Sequence, residues 1–179
     1  EIYSTGKISL PNNLFIIGTM NSSDQGVFPL DTAFKRRFAF EYISIDFDSH
    51  QDKPEFSTPK ITIEKEKFTW GEFAKTANEL MLESSIVSED RLFGPYFLSP
   101  SELKSENLNK MICEKVLVYV WEDVLRHDDR SIIFSSGLKS FGEIQKKFLR
   151  KEPVFSEKFM TQINSERAKR KDRNSQEEN

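Results

Sequence analysis

The apolar residues of this chain follow two different spacings, and the change between them divides the sequence. Residues 14–18 read LFIIG, an unbroken apolar run typical of a strand that is buried on both faces of a parallel sheet. Residues 38–45 read FAFEYISI and alternate as a second strand does. From Phe68 onward apolar residues recur at steps of three and four, first in a stripe from Trp70 to Met81. This order predicts an α/β part followed by an α-helical part.

Two charged stretches without a sustained period set the predicted domain boundaries. Residues 49–67 contain two prolines and many charges, which is typical of a linker between structural units. Residues 165–179 are almost free of apolar side chains, so we expect a disordered charged tail or a frayed helix end there. These stretches leave residues 1–48 as the α/β part and residues 68–164 as the helical domain.

Two serine-centred patterns predict where helices begin. Ser99, Pro100 and Glu102 fit a capping box with proline at the first helical position. Ser140 and Glu143 repeat the same serine-to-glutamate spacing before the last predicted helix. A cap acts within one turn of the backbone, so we expect helices to start directly after both serines.

Charge and cysteine content exclude several classes of function. The net charge of −3 and the isoelectric point near 5.6 give no general attraction to nucleic acid, so contact with DNA would need a local patch or another domain. Cys113 is the only cysteine and the chain has two histidines, which leaves no zinc cluster and no expected metal ligand. No apolar run approaches the roughly 18 residues of a membrane helix. We therefore expect a cytoplasmic protein.

Polar residues directly follow the first predicted strand, in the loop GTMNSSD. Ligands of parallel α/β sheets bind outside the carboxyl ends of the strands, and an amide such as that of Asn21 can hold both a water and a phosphate oxygen. Asn21 and Asp24 are therefore candidate site residues. The alternative is that the loop is only a turn, because asparagine, serine and aspartate favour turns.

The sequence FKRRF places two arginines, Arg36 and Arg37, at the end of a short predicted helix that begins near Pro29. Cations at a helix C-terminus are favoured by the helix dipole, so one interpretation is a solvated helix tip. The other is a pair that stabilises charge on a transferring phosphoryl group, as an arginine from a neighbouring subunit does in nucleotide hydrolysis. The residues alone leave both interpretations open.

The combination of these segments resembles a known family. LPNNLFIIGTMNSSD followed by PLDTAFKRRFAFEYI resembles the sensor 1 strand and the arginine-finger helix of AAA+ proteins, specifically their McrB-type branch. Downstream, EDRLFGPYFLSP looks like the sensor 2 region of that branch and VYVWEDVLRHDDRSIIF looks like its late lid helix. The resemblance covers roughly residues 8–160. It implies that residues 1–48 are the C-terminal part of a P-loop AAA+ core and that residues 68–164 are the α-helical lid.

The resemblance also implies roles for individual residues. Asn21 would be the sensor 1 residue that positions the attacking water or reads the γ-phosphate, and Asp24 the second polar residue of that loop. Arg36 and Arg37 would act in trans on nucleotide bound by the adjacent subunit, with the choice of finger between them left open. Three residues of the lid would lie near the nucleotide: Gly94, Pro95 and Tyr96.

The sequence departs from the branch at several positions. Ser22 and Ser23 stand where the branch commonly has threonine and alanine, and Gln25 stands where an arginine commonly follows the aspartate. LFGPYFL contains no arginine or lysine, so a sensor 2 arginine would have to be Arg91. The chain also contains no G-x-x-x-x-G-K-S/T and no strand ending in an acidic pair for magnesium. We therefore expect the C-terminal portion of a larger enzyme, which by itself would not bind nucleotide well.

For the complete protein, the resemblance implies hydrolysis of ATP or GTP with Mg²⁺, bound mainly by residues outside this chain. It implies a homo-oligomeric ring, a hexamer in the family, that works with a McrC-type nuclease in restriction of foreign DNA, with DNA contacted through another domain or partner. One alternative is a MoxR-like remodelling chaperone with the same core. A second is a non-catalytic protein-interaction fragment that binds no nucleotide.

Overall fold

The chain folds into a helical unit built on a two-stranded hairpin, and a segment with one short helix precedes it. The computed structural model describes residues 10–19, 31–50, 53–58, 60–84 and 87–177. The helix of the preceding segment, α1, spans Thr32–Lys35. The two predicted strands at residues 14–18 and 38–45 have no strand pairing within the described part of the chain. The parallel sheet therefore stays a prediction.

After a 3-10 turn at Asp48–His50, α2 spans Pro54–Ser57 and leads into an antiparallel hairpin of β1, Ile61–Ile63, and β2, Glu66–Phe68. Ile61 pairs with Phe68 and Ile63 with Glu66, around a turn in which Glu64 has a φ of 54°. Alternation buries Ile61, Ile63 and Phe68 in the core. The interpretation of residues 49–67 as a linker is therefore wrong for residues 60–67. The sequence did not predict the hairpin because two isoleucines within a charged stretch are too few to establish a strand period.

One asparagine side chain hydrogen-bonds to the edge of the hairpin. The Asn109 amide accepts a hydrogen bond from the Thr62 N–H at 3.0 Å and donates one to the Thr62 carbonyl at 2.6 Å. The side chain thus satisfies both backbone groups on the open edge of β1, which would otherwise be left without partners near the core.

The longest helix of the first half, α3, spans Trp70–Glu83, as the apolar stripe predicts. It begins at a capping box in which the Thr69 hydroxyl accepts the Glu72 N–H at 3.1 Å and the Glu72 carboxylate accepts the Thr69 N–H at 2.7 Å. Its buried face includes Trp70 and Phe73. Full burial of such a side chain contributes about 1.5–3 kcal/mol, so this face supplies much of the unit's stability.

The predicted helix start at Ser99 is confirmed. Two 3-10 turns, Glu89–Arg91 and Pro95–Phe97, lead to the short helix α4, Pro100–Leu103. The Ser99 hydroxyl accepts the Glu102 N–H at 3.3 Å, and the Glu102 carboxylate accepts the Ser99 N–H at 2.7 Å. Proline stands at the first helical position, where its missing N–H is no loss.

The long predicted helix exists, with an unusual hydrogen-bond pattern. It starts as α5, Leu108–Met111, and continues as π-helical segments at Ile112–Leu117 and Tyr119–Val124. At its end the Leu125 N–H bonds to the Val120 carbonyl at 2.8 Å. The Arg130 guanidinium donates to the Trp121 carbonyl at 3.2 and 3.3 Å and lies 4.1 Å from the centre of the Trp121 ring. A terminal carbonyl that the helix leaves open is thus satisfied by a side chain.

Helix α6, Phe141–Leu149, begins after Ser140 as predicted, with half of the expected capping box. The Ser140 hydroxyl accepts the Glu143 N–H at 3.3 Å, but the Glu143 carboxylate accepts the Lys139 N–H instead of that of Ser140. After α6, Phe155 forms an isolated antiparallel bridge with Phe134, which precedes α6.

The last helix, α7, spans Glu157–Glu177 and packs along α3. Within the stretch expected to be a disordered tail or a frayed helix end, the structure describes residues 165–177 as helix. The Arg167 guanidinium pairs with Glu66 at 2.8 Å, and Arg170 pairs with Glu72 at 2.7 Å. Arg170 also donates to the Ser57 carbonyl at 3.1 Å. Ion pairs to distant segments hold this helix where apolar periodicity is absent.

Aromatic side chains make up much of the core between α3 and α7. The Phe155 and Phe159 rings are stacked with centres 4.5 Å apart, and Phe73 meets both of them edge to face. Such pairs contribute about 0.5–1.5 kcal/mol beyond the area they bury. Across the described residues, every helix falls short of the length and apolar character that a membrane crossing requires.

Candidate functional site

The two polar residues that the sequence places in the first candidate site, Asn21 and Asp24, lie outside the described residues. Their roles stay predictions. The apolar run that precedes them is described, and it is open to solvent: Phe15 is 86% exposed and Ile17 is 93% exposed. A strand of this composition is stable only when neighbours cover both of its faces.

The arginine pair lies immediately after α1. The Arg36 N–H closes the last turn on the Thr32 carbonyl at 3.1 Å, and the Asp31 carboxylate accepts the Ala33 N–H at 3.3 Å at the start of the helix. Both arginine side chains are exposed. Among the described residues, neither Arg36 nor Arg37 forms an ion pair. Their guanidinium groups are thus accessible to a partner from outside the described chain.

Apolar side chains are exposed on both predicted strands, on either side of the arginine pair. Exposed apolar surface of this extent on a folded chain marks an interaction surface. Eight large side chains form this set, called here the exposed strand surface: Leu14, Phe15, Ile16, Ile17, Phe38, Phe40, Tyr42 and Ile43.

The exposed strand surface meets the helical unit at Tyr42. The Tyr42 hydroxyl hydrogen-bonds to the Glu89 carboxylate, and this bond, followed by burial and by the negative charge of Glu89, raises the pKa of Tyr42. Glu89 opens the 3-10 turn that precedes Gly94. The segment that carries the arginine pair is therefore in contact with the loop that carries the other candidate residues.

The Gly94–Tyr96 loop is held from two sides by buried side chains. The Asn78 amide bonds to both the N–H and the carbonyl of Phe93, each at 2.8 Å. The Trp70 indole N–H donates to the Pro95 carbonyl at 2.9 Å. A Cβ added at Gly94 would meet no atom within 4 Å, so this backbone faces open space. Gly94 and Pro95 are thus rigidly placed at an accessible surface.

Tyr96 lies in a small aromatic cluster with residues that sequence reasoning did not select. Its ring meets His50 and Phe56 edge to face, with ring centres 5.0 and 5.3 Å apart. The Lys53 ammonium donates to the Tyr96 hydroxyl at 3.1 Å. His50 and Lys53 stand more than 40 residues before Tyr96, and no spacing in the sequence predicts their meeting. Arg91, the sensor 2 candidate, is exposed at the end of its 3-10 turn.

A surface cleft of about 430 Å³ is lined by residues 45–48 and by side chains of α3 and α7. Its walls carry five carboxylates and three cations, the latter from Lys75, Lys169 and Arg173. Lys75 and Arg173 pair with Asp48, and Lys169 pairs with Glu166. This hydrogen bond to Glu166 is the main reason that the pKa of Lys169 is raised. The cations are thus engaged by neighbouring carboxylates, which makes the cleft a poor cradle for phosphates.

No metal centre is evident in the described part of the chain, where acidic, histidine and cysteine side chains form no group of three suited to an ion. Cys113 is buried in the helix that follows α5, and burial raises the pKa of its thiol to about 11. A thiol with such a pKa is protonated at neutral pH and is a poor nucleophile. Of the predicted site residues, the structure thus describes the arginine pair and the Gly94–Tyr96 loop, whereas Asn21 and Asp24 stay predictions.

Comparison with known proteins relates this chain to a restriction system. No family model and no solved structure matches it. The chain is 36% identical over 150 residues to the Type II restriction enzyme BsuMI component YdiS of Bacillus subtilis strain 168, an alignment that covers 83% of this chain. The same alignment covers 41% of the relative, so the chain spans well under half of that protein's length. Over most of its length, the chain is thus related to a restriction-enzyme component.

Proposed function

We propose that this chain is the C-terminal part of an AAA+ motor that hydrolyses ATP or GTP in a restriction system of the McrB type. It would contribute the sensor 1 loop, a trans-acting arginine finger and the lid. The observation that carries this proposal is the arginine pair. Arg36 and Arg37 directly follow a short helix within the finger-like motif, and both are exposed and free of ion pairs among the described residues. A finger must reach a partner's nucleotide, which requires this accessibility.

The contrast in burial between the two parts of the chain supports an incomplete core. The helical unit has its own buried core, whereas the side chains of the exposed strand surface are largely open to solvent. In the proposed protein, the upstream strands of the P-loop domain would cover these side chains. That domain would also supply the phosphate-binding loop and the magnesium ligands, which have no counterpart in this sequence.

Catalysis would take place between subunits. Asn21 would hold the attacking water or the γ-phosphate in its own subunit's site, with Asp24 beside it. Arg36 or Arg37 would neutralise charge that develops on the transferring phosphoryl group in the neighbour's site, an effect worth about 10³- to 10⁵-fold in rate where it has been measured in related chemistry. Residues of the upstream domain would hold the Mg²⁺, which would supply positive charge to the phosphates.

The restriction role follows from the relation to a restriction-enzyme component together with the McrB-type motifs. A ring of identical subunits would couple nucleotide hydrolysis to a McrC-type nuclease, with DNA contacted by another domain or by the partner. The net charge of −3 agrees with this division, because the chain itself offers no general attraction to a polyanion.

The proposal is tested by hydrolysis measurements on the full-length protein. We expect Arg36→Ala or Arg37→Ala to lower the rate at saturating ATP or GTP by at least 100-fold. Lys35→Ala, on the same helix and also exposed, is the matched control and should retain the wild-type rate. Wild-type rates in both arginine variants would contradict the finger assignment.

A mixing experiment separates action in trans from action within one subunit. An inactive arginine variant is combined with a full-length variant that lacks the upstream phosphate-binding lysine. If the arginine acts on the neighbour's nucleotide, some interfaces of the mixed ring combine an intact site with an intact finger, and activity returns. Hydrolysis that does not respond to the nuclease partner would favour a remodelling chaperone. Full-length protein that binds no nucleotide would leave an interaction module.

A further inference from the structure

We propose that Tyr96, with Lys53 at its hydroxyl, forms a stacking platform for the purine base of the nucleotide. This inference rests on the proposed function and names the part of the substrate that the Gly94–Tyr96 loop would contact. The proposal rests on the environment of the Tyr96 side chain, which is held by its neighbours and is nevertheless 54% exposed. Large aromatic side chains of a folded unit are usually buried, so a fixed and open ring is suited to a ligand.

Three neighbours contact the Tyr96 side chain, which stays more than half exposed. His50 and Phe56 meet it at interplanar angles of 87° and 90°. The Lys53 ammonium is 3.1 Å from the hydroxyl oxygen but 5.7 Å from the ring centre, so it lies beyond the hydroxyl and not over the ring face. The ring is thus immobilised before any ligand binds, which lowers the entropy cost of stacking.

The His50 ring is fixed in turn by its own backbone contacts. Its Nδ1 is 3.1 Å from the Asp46 carbonyl oxygen and 2.8 Å from the Ser49 hydroxyl. Both contacts hold the ring at this one nitrogen. Phe56 is buried beneath the cluster, and the platform therefore rests on the core of the helical unit.

The charges around the platform favour a neutral planar ring over a phosphate. Lys53 is the cation in contact with Tyr96, while Asp46 and Asp48 stand at the start of the same segment. The side chains of the cluster also suit a base. The rings offer apolar surface, and the Lys53 ammonium offers a strong hydrogen-bond donor at the edge of the cluster. Purines present acceptors at one edge, N7 in both bases and additionally O6 in guanine. A purine stacked on Tyr96 can direct that edge towards Lys53.

The position of the platform agrees with a site between two units. It lies where the segment that follows the exposed strand surface enters the helical unit. Ligand sites form preferentially where two domains meet. In the proposed protein, the phosphates would be held by the upstream domain, and the base would be held here.

The test measures binding of Mg²⁺ complexes of ATP, GTP and base-free tripolyphosphate to the full-length protein by calorimetry. We expect Tyr96→Leu, which keeps apolar bulk against His50 and Phe56, to weaken ATP and GTP about tenfold and to leave tripolyphosphate unchanged. Tyr96→Phe keeps the ring and should bind both nucleotides within about threefold of wild type. Unchanged ATP and GTP affinity in Tyr96→Leu would overturn the inference, as would an equal loss for tripolyphosphate.

Two further measurements complete the test. Lys53→Met should weaken GTP more than ATP because guanine offers two acceptors at the edge that faces the ammonium, whereas the exposed Lys104→Met control should change neither. In the wild-type protein, CTP and UTP should bind more weakly than the purine nucleotides, and Tyr96→Leu should remove the difference. If nucleotides bind and are hydrolysed but this difference is absent, only the platform is wrong. If no triphosphate binds at all, the proposed function fails with it.

Discussion

Residues 14–17 and residues 61–63 are both short runs rich in isoleucine, yet their environments are opposite. Ile17 is almost fully exposed, whereas Ile61 and Ile63 have no accessible surface of note. The hairpin has a partner strand, the Asn109 amide on its edge and α7 across it. The first run has none of these in the described residues. Burial thus depends on whether a partner element is available, and apolar composition alone does not decide it.

The largest expected difference between the two regions comes from truncating one apolar side chain in each. Phe73→Ala should lower the free energy of unfolding of this chain by about 3–5 kcal/mol, because it leaves a cavity among fully packed rings. Ile17→Ala should change it by less than about 0.5 kcal/mol. Urea denaturation followed by circular dichroism measures both.

The same two substitutions, Phe73→Ala and Ile17→Ala, can also be compared in the full-length protein. If upstream strands cover the exposed strand surface, the cost of Ile17→Ala should rise to about 1–3 kcal/mol there, while that of Phe73→Ala stays the same. An Ile17→Ala cost that remains negligible in the full-length protein would show that this surface has another role.

The second comparison is between a half-buried and an exposed ion pair. Arg170→Ala leaves the buried Glu72 carboxylate without its partner and should destabilise the chain by about 2 kcal/mol. Lys110→Ala removes an exposed pair to Glu114 at 3.9 Å and should cost less than about 0.5 kcal/mol. Both are measured by thermal and urea denaturation. Equal effects would mean that α7 is not anchored through Arg170.

The smallest expected effect concerns pH. The hydrogen bond from Lys115, aided by the Ser99 N–H, lowers the pKa of Glu102 from 4.5 to about 2. The folded-state pKa lies below that of the unfolded chain, so this stabilisation is present above about pH 4.5 and is lost as the pH falls towards 2. Because the pair is partly exposed, we expect a contribution of only about 1 kcal/mol.

The contribution of Glu102 is isolated by comparing variants across the same acid window. Lys115→Met should flatten the loss of stability between pH 5 and about pH 2, by about 1 kcal/mol relative to wild type. Lys104→Met, which changes a nearby exposed lysine, should follow the wild-type curve. Several other carboxyls with lowered pKa values titrate in this window, including Asp46 and Asp129, and they are common to all three proteins. If the stability curves of Lys115→Met and wild type stay parallel across this pH range, Lys115 does not stabilise the fold through Glu102.

Local signals predicted much of the helical unit. The start of α4 at Ser99 and the stripe of α3 from Trp70 to Met81 were predicted from spacing and are confirmed. The capping box predicted at Ser140 is present only in part, because the Glu143 carboxylate accepts the Lys139 N–H instead of the Ser140 N–H. The π-helical pattern after α5 had no sequence signal, because its apolar face is compatible with either helix type.

The candidate site was predictable only in its motifs. Arg36, Arg37 and the Gly94–Tyr96 loop were selected from the sequence, and their catalytic and binding roles remain predictions. His50 and Lys53 were not selected, because their contact with Tyr96 joins residues more than 40 positions apart. Contacts across such distances depend on how the hairpin and α3 pack, and no local pattern encodes them.

By itself, the sequence determined where α4 and α6 begin and which residues form the apolar stripe of α3, because caps and helical periods act within about four residues. It also determined that the chain contains no G-x-x-x-x-G-K-S/T motif. Only the tertiary structure decided that residues 60–68 form a buried hairpin and that residues 165–177 continue as a helix. The reason is the distance of their partners along the chain: Arg170 is held by a carboxylate 98 residues away and Thr62 by an amide 47 residues away.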